Sequence, residues 1–366
     1  MPYDLAIIGG GPAGASAAIS AARRGARVLL LERGRFPRHK VCGEFVSAES
    51  LSLLADLLDS EHAALIQDAV RIPRARIFLD GRTLQAAVDP PAASIARFDL
   101  DAALWRSAIS AGVDARQQAS VQSVAGTGPF RLAVAGEEFE ARALVNASGR
   151  WSNLNLAPPE NGRASQKWLG VKAHFAEPAS QPSVDLYFFE GGYCGVQPVA
   201  VADEKSGAGR VNASAMVRAD VASSLPEVFA QHPALRERSR NWTLLSDPVS
   251  TSPLIFRNPQ PERGGVLLAG DAAGFVDPFV GDGISLALRS GSLAAQCLKP
   301  FFAGEASLPE AVCRYRQSYE SSLLPVFRAS SKIRRMLVLP GYVRRPVLSI
   351  LENSPALTNY LVRKTR

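Results

Sequence analysis

The chain has 366 residues, 47% apolar and 20% charged, which excludes disordered, collagenous and low-complexity classes. At this length two lobes are expected, because single cores stop growing near ~250 residues. The net charge of +7 invites a nucleic-acid reading, but residues 328–366 hold nine Lys and Arg against one acid, Glu352, and residues 1–327 sum to −1.

In chain order, YDLAII from Tyr3 reads as a short apolar strand and GGGPAG as a glycine turn. Ala13 to Arg24 is an alanine-rich helix ended by Gly25, and ARVLLLE is a second buried strand, which completes a βαβ unit. Phe98 to Ala111 predicts a helix closed by Gly112, with a strand around Ala119 to Val124. FRLAVAG and EEFEARALVNASG carry the strand period and predict a hairpin that returns to the sheet. Between Lys167 and Val217 several short strands with glycine or proline turns predict an antiparallel sheet in a separate lobe. GGVLLAGDAAGF is again strand then turn, a long helix follows from Gly283 to Phe302, and the last hundred residues are mostly helical.

No apolar run approaches the ~20 residues of a membrane span. The start of the chain lacks the basic lead, apolar run and cleavage site of a secretory signal, which predicts a cytoplasmic protein. Cys42, Cys194, Cys297 and Cys313 form no C-x-x-C pair, and His39, His62, His174 and His232 are equally scattered, so no metal site or disulfide framework is expected.

Gly9-x-Gly11-x-x-Gly14 lies between a strand and a helix, and Glu32 ends the next strand 18 residues after Gly14. Gly9 permits the tight turn, Gly11 the approach of a diphosphate, and Gly14 close packing of helix on strand. The helix start offers N–H groups and a positive dipole end, while Glu32 can accept hydrogen bonds from a ribose diol. Pro12, Ala13 and Arg33 belong to the same candidate dinucleotide site.

Further along, Asp271 follows an apolar strand, and Pro278 precedes Gly281-Asp282-Gly283 at a helix start. With GGGPAG, this segment resembles flavoproteins of the p-hydroxybenzoate hydroxylase fold, in particular the geranylgeranyl-reductase-like branch, over essentially the whole chain. The resemblance implies FAD, with Asp271 on the ribityl chain and Gly281, Gly283 and Ile284 placing N–H groups against the flavin edge, where reduced flavin is negative. It implies that Arg97 contacts phosphate or ribityl oxygens. Ser148-Gly149 replaces the Asp-Gly of the hydroxylases, which weakens a hydroxylase reading, and no second G-x-G-x-x-G marks a separate NAD(P) domain. NAD(P)H or another reductant is the expected electron donor.

The stretch Lys40 to Ser47 resembles the Cys-Gly-Glu loop of those reductases. Cys42 either modulates the flavin, gives a proton to a substrate carbon or is a small packing residue beside the cofactor, and Glu44 either bonds the flavin edge or anchors the loop. Tyr193 and Pro198 keep the reductase pattern of Tyr-x-Trp-x-Phe-Pro, whereas Gly195 and Gln197 replace its Trp and Phe and predict a wider, more polar cavity floor. Of Tyr187, Phe188 and Phe189, at least one is expected to face the cavity; His174 is expected to be a satisfied core histidine.

The expected architecture is α/β: an FAD-binding Rossmann-like domain over 1–70, 97–156 and 264–325, interleaved with an antiparallel-sheet substrate domain over 71–96 and 157–263. A basic helical segment over 326–366 follows, a candidate for a cavity cap or for peripheral contact with the inner membrane face. The expected activity is an FAD-dependent oxidoreductase on a hydrophobic small molecule of isoprenoid, polyketide or aromatic type. Monooxygenase chemistry and a non-catalytic flavin-binding module are the alternatives; nucleic acid is not an expected partner.

Overall fold

A computed structural model describes residues 2–150, 167–178, 180–200, 208–251, 254 and 258–338, together with 342, 344, 346, 349 and 354. Trp151 and Ser152 of the VNASGRWS segment and most of the basic segment beyond 338 lie outside the described residues.

The first sheet is built around Tyr3–Ile8, which pairs in parallel with Val28–Glu32 on one side and Glu137–Asn146 on the other. Val266–Leu268 continues the parallel order beyond Glu137–Asn146. Leu5, Ile7, Leu29, Leu30 and Val145 are all 0% exposed, as expected where helices cover both faces of a parallel sheet. Phe130–Val134 and Glu137–Asn146 pair antiparallel as the expected hairpin, and Val121–Ala125 extends it on the far side of Phe130–Val134. Asp114–Gln117 is an additional edge strand against Val28–Glu32. Its sequence, DARQ, has no apolar period, because an edge strand buries little, and so it left no signal in the sequence.

Among the described residues the second sheet has nine strands. Trp168–Pro178 pairs with Ala208–Arg218, which pairs with Gly192–Ala200, then Ser183–Phe189, all antiparallel. Ser183–Phe189 then joins Val70–Leu79 in parallel, and Arg82–Ser94 and Phe45–Val46 complete the sheet. Alternation along these strands sorts the side chains. Val171, Ala173, Cys194, Val196, Val211 and Ala213 pack in a core with helices Leu225–Ala230 and Pro233–Arg238. Arg238 bonds Glu177 at 2.6 and 2.8 Å and Asp185 at 2.5 Å, which ties that helix to the sheet. The opposite face carries Lys172, His174, Tyr193, Asn212 and Met216 toward the first lobe.

Helix Pro12–Ala22 lies against helix Gly283–Phe302, followed by helices Leu308–Ser322 and Leu324–Val338. Among the described residues no helix is long and apolar enough to cross a membrane. Two arginines of the basic segment are paired with acids: Arg334 lies 3.5 Å from Asp277, and Arg344 bonds Asp80 at 2.6 and 2.7 Å.

Candidate active site

The glycine motif is a set of close approaches. A Cβ on Gly14 would stand 1.8 Å from the Gly9 carbonyl oxygen, and Gly9 itself has a φ of +101°. Helix Pro12–Ala22 starts without a side-chain cap, so its first N–H groups are left for a ligand. Gly291, outside any motif, matters equally, since a Cβ there would meet the Ala13 oxygen at 2.0 Å. Beside it, Ser16 Oγ donates to the Leu288 carbonyl at 2.7 Å. Glu32 is 4% exposed and accepts from the N–H of Gly10 at 2.9 Å, from that of Gly34 at 2.7 Å and from Arg38 at 2.9 Å. Burial alone would raise its pKa, but Arg38 and these N–H groups hold it below the usual carboxylate value. Arg33 is exposed and does not line the cavity, and the arginine brought to Glu32 is Arg38.

One cavity of about 1090 Å³, part of it open to solvent, joins Gly11, Pro12 and Ala13 to Asp271, Pro278, Gly281, Gly283 and Ile284. Arg97 sits at its edge, 7% exposed, with its guanidinium bonded bidentately to Asp101 at 2.7 Å twice. Burial opposes its charge, yet Asp101 and Cys42 raise its pKa above the ordinary value. Two cations missed by sequence reasoning also line this cavity. Lys40 has no hydrogen-bond or ion-pair partner among the described residues, and burial and then Arg97 push its pKa down. Arg150 lies 3.6 Å from Asp271 and over the Phe275 ring, while its Nη1 is buried without a partner; burial lowers its pKa too.

These features fit the dinucleotide that the motifs imply. A Cβ on Gly11 would meet nothing nearer than Arg97 at 3.9 Å and one on Gly283 nothing within 4 Å, so both backbones face open space. Arg150 Nη1, buried without a partner among the described residues, and Lys40 are the kind of cationic groups that a diphosphate here would need.

Facing this wall is the Cys42–Glu44 loop. Glu44 is 0% exposed, and its carboxylate accepts from Lys172 Nζ at 2.5 Å and the Arg97 N–H at 2.9 Å, with His174 Nε2 at 2.7 Å. Burial would raise its pKa; His174 and Lys172 hold it down. Cys42 lines the cavity. Tyr193 is 6% exposed among Met216, Leu254, Phe188 and Phe279, its hydroxyl has no hydrogen-bond partner among the described residues, and burial pushes its pKa well up. Phe188 is on this side, whereas Tyr187 and Phe189 belong to the opposite core. The widened polar floor expected from Gly195 and Gln197 is not found. Neither lines the cavity, because Gln197 Nε2 turns to Ser94 Oγ at 2.7 Å and Gly195 lies against Leu186. Among the described residues no group of His, Cys, Asp and Glu could hold a metal ion.

Comparison with known proteins agrees with this geometry. The chain is 27% identical to digeranylgeranylglycerophospholipid reductase 2 of Methanopyrus kandleri, over 92% of this chain and 87% of that protein. It superposes on the flavin-dependent brominase Bmp2 with a TM-score of 0.80 at 22% identity, covering 100% and 93% of the two chains. A geranylgeranyl bacteriochlorophyll reductase-like protein of Thermoplasma acidophilum matches with a TM-score of 0.77 at 20% identity, over 100% and 95%. These likenesses show the p-hydroxybenzoate hydroxylase type of fold. The model of the FAD binding domain family matches residues 2–318, so the chain belongs to that family and is an FAD-dependent oxidoreductase.

Proposed function

We propose that this enzyme is a reductase or dehydrogenase of the geranylgeranyl-reductase-like group, acting on a hydrophobic small molecule of isoprenoid, polyketide or aromatic type. NAD(P)H or another reductant is its electron source. The observation that carries the proposal is the continuous cavity in which Gly11–Ala13, Asp271, Gly281, Gly283 and Ile284 face the Cys42 loop and an apolar wall of Tyr193, Met216, Leu254 and Phe275. The Methanopyrus relative, named as a reductase of a lipid, supports an apolar substrate.

FAD, when bound, supplies the hydride chemistry. The chain's own residues divide the remaining work. The N–H groups at the start of helix Pro12–Ala22, with Lys40 and Arg150, hold the diphosphate; Glu32 accepts from ribose hydroxyls and Asp271 from the ribityl chain. The start of helix Gly283–Phe302 favours negative charge at the ring edge. Met216, Leu254 and Phe275 exclude water from the substrate. The Tyr193 hydroxyl keeps its proton and orients a substrate oxygen, and the Cys42 thiol donates a proton to the substrate carbon. In this division residues 1–70, 97–156 and 264–325 serve the cofactor, and 71–96 and 157–263 the substrate.

Turnover of isoprenoid, polyketide and aromatic candidates with NAD(P)H under isotopically labelled dioxygen tests the proposal. A product reduced by two electrons and free of label is expected. Label in the product would move the enzyme to the monooxygenases.

A further inference from the structure

The Cys42–Glu44 loop belongs to the first lobe by sequence, yet the Glu44 carboxylate, which also accepts from the Arg97 N–H, and the Cys42 carbonyl are bonded by side chains of the second. Lys172 and His174 stand two residues apart on strand Trp168–Pro178, so both point to the cavity face, and both end on the Glu44 carboxylate. Asn212 is the cross-strand partner of His174, and its Nδ2 donates to the Cys42 carbonyl at 3.0 Å. Within the loop, the Glu44 N–H donates to Cys42 Sγ at 3.3 Å. Glu44 has a φ of +62°, a conformation that a residue with a side chain keeps only where its surroundings over-determine it. Lys172 and His174 are 0% and 2% exposed. Burying an ammonium costs desolvation, and an apolar pair on this strand would hold the sheet equally well. Sheet stability therefore does not account for the charge at this place.

We infer that Lys172, His174 and Asn212 are positioning residues: through Glu44 and the Cys42 carbonyl they clamp the loop and set the place of the Cys42 thiol in the cavity. The clamp couples the substrate sheet to the cofactor side, and it deepens the proposed function, resting on Cys42 as the group that works there. Its chemistry is an ion pair and hydrogen bonds only; no bond is made or broken.

The four free cysteines provide the test, since Cys194 and Cys297 are buried in the two separate cores while Cys42 and Cys313 are partly accessible. Alkylation of the FAD-loaded full chain by iodoacetamide is followed for each cysteine by peptide mass spectrometry. In Lys172→Met, Cys42 is expected to react about tenfold faster or more, as a locally opened segment does, with Cys194 and Cys297 still protected. Should that variant fail to fold, the Glu44→Gln/Lys172→Met pair removes both charges together and carries the same expectation. An unchanged Cys42 rate in a folded variant overturns the clamp, as does a joint acceleration of Cys42, Cys194 and Cys297, which would indicate a merely structural role. Turnover of Cys42→Ala is the separate check on the thiol: full activity there would sink the proton-donor role while the alkylation pattern still decides the clamp.

Discussion

On the side of the parallel sheet the cavity wall includes bare backbone, with Gly11 and Gly283 facing open space and two helix starts left uncapped by side chains, beside the side chains of Lys40, Arg97, Arg150 and Asp271. On the side of the antiparallel sheet it is lined by side chains, Tyr193 and Met216 on the surface and Lys172 and His174 behind. A backbone wall has no freedom to repack, because the space of a missing Cβ is already filled by another chain segment or reserved for the ligand. A side-chain wall keeps its strand pairing when one residue is exchanged. The proposed function thus puts cofactor recognition where substitution is least tolerated, and substrate choice where it is most tolerated.

The largest effect is expected from breaking the first wall. Gly14→Ala and Gly291→Ala each place a Cβ 2.0 Å or less from a carbonyl oxygen. Each should cost about 3 kcal/mol or more, read as a shift of the urea midpoint, and abolish flavin retention on a desalting column. If Gly291→Ala kept its flavin, the comparison between the walls would lose its basis.

At the seam between the walls, Asp282 is 1% exposed, and burial pushes its pKa from 3.8 up to about 6. The folded state thus holds a proton that the unfolded chain releases, so stability falls as pH rises from about 4 to about 6 and then levels. Asp282→Asn should remove this slope and stabilise the protein by about 2–3 kcal/mol at pH 8, measured by urea unfolding across pH. An unaltered slope would place the titration elsewhere, with Asp277 next in line because burial raises it also to about 6.

Smaller effects sharpen the division. Arg150→Met should weaken FAD binding about tenfold by loss of a charged hydrogen bond, followed by quenching of flavin fluorescence. Tyr193→Phe should leave FAD affinity within about twofold, as sites without shared partners do, and lower turnover. A marked loss of FAD affinity in Tyr193→Phe would show that the two walls are not separate in function.

The sequence by itself determined the βαβ opening and the glycine-lined part of the cavity wall. Gly9, Gly11 and Gly14, Asp271, and Gly281 and Gly283 are legible because tight turns and helix starts impose residue types at short, fixed spacing. Strand alternation likewise separated Phe188 from Tyr187 and Phe189, although not which face would be the cavity. Tertiary structure alone decided the remainder. Glu44 meets Lys172 and His174 across 128 and 130 residues, Gly291 meets Ala13, and Arg38 rather than Arg33 reaches Glu32. The first two of these have no local period or spacing, since they arise when two sheets and two helices pack and bury whichever side chains face one another, and the third follows from the path of the loop after Glu32.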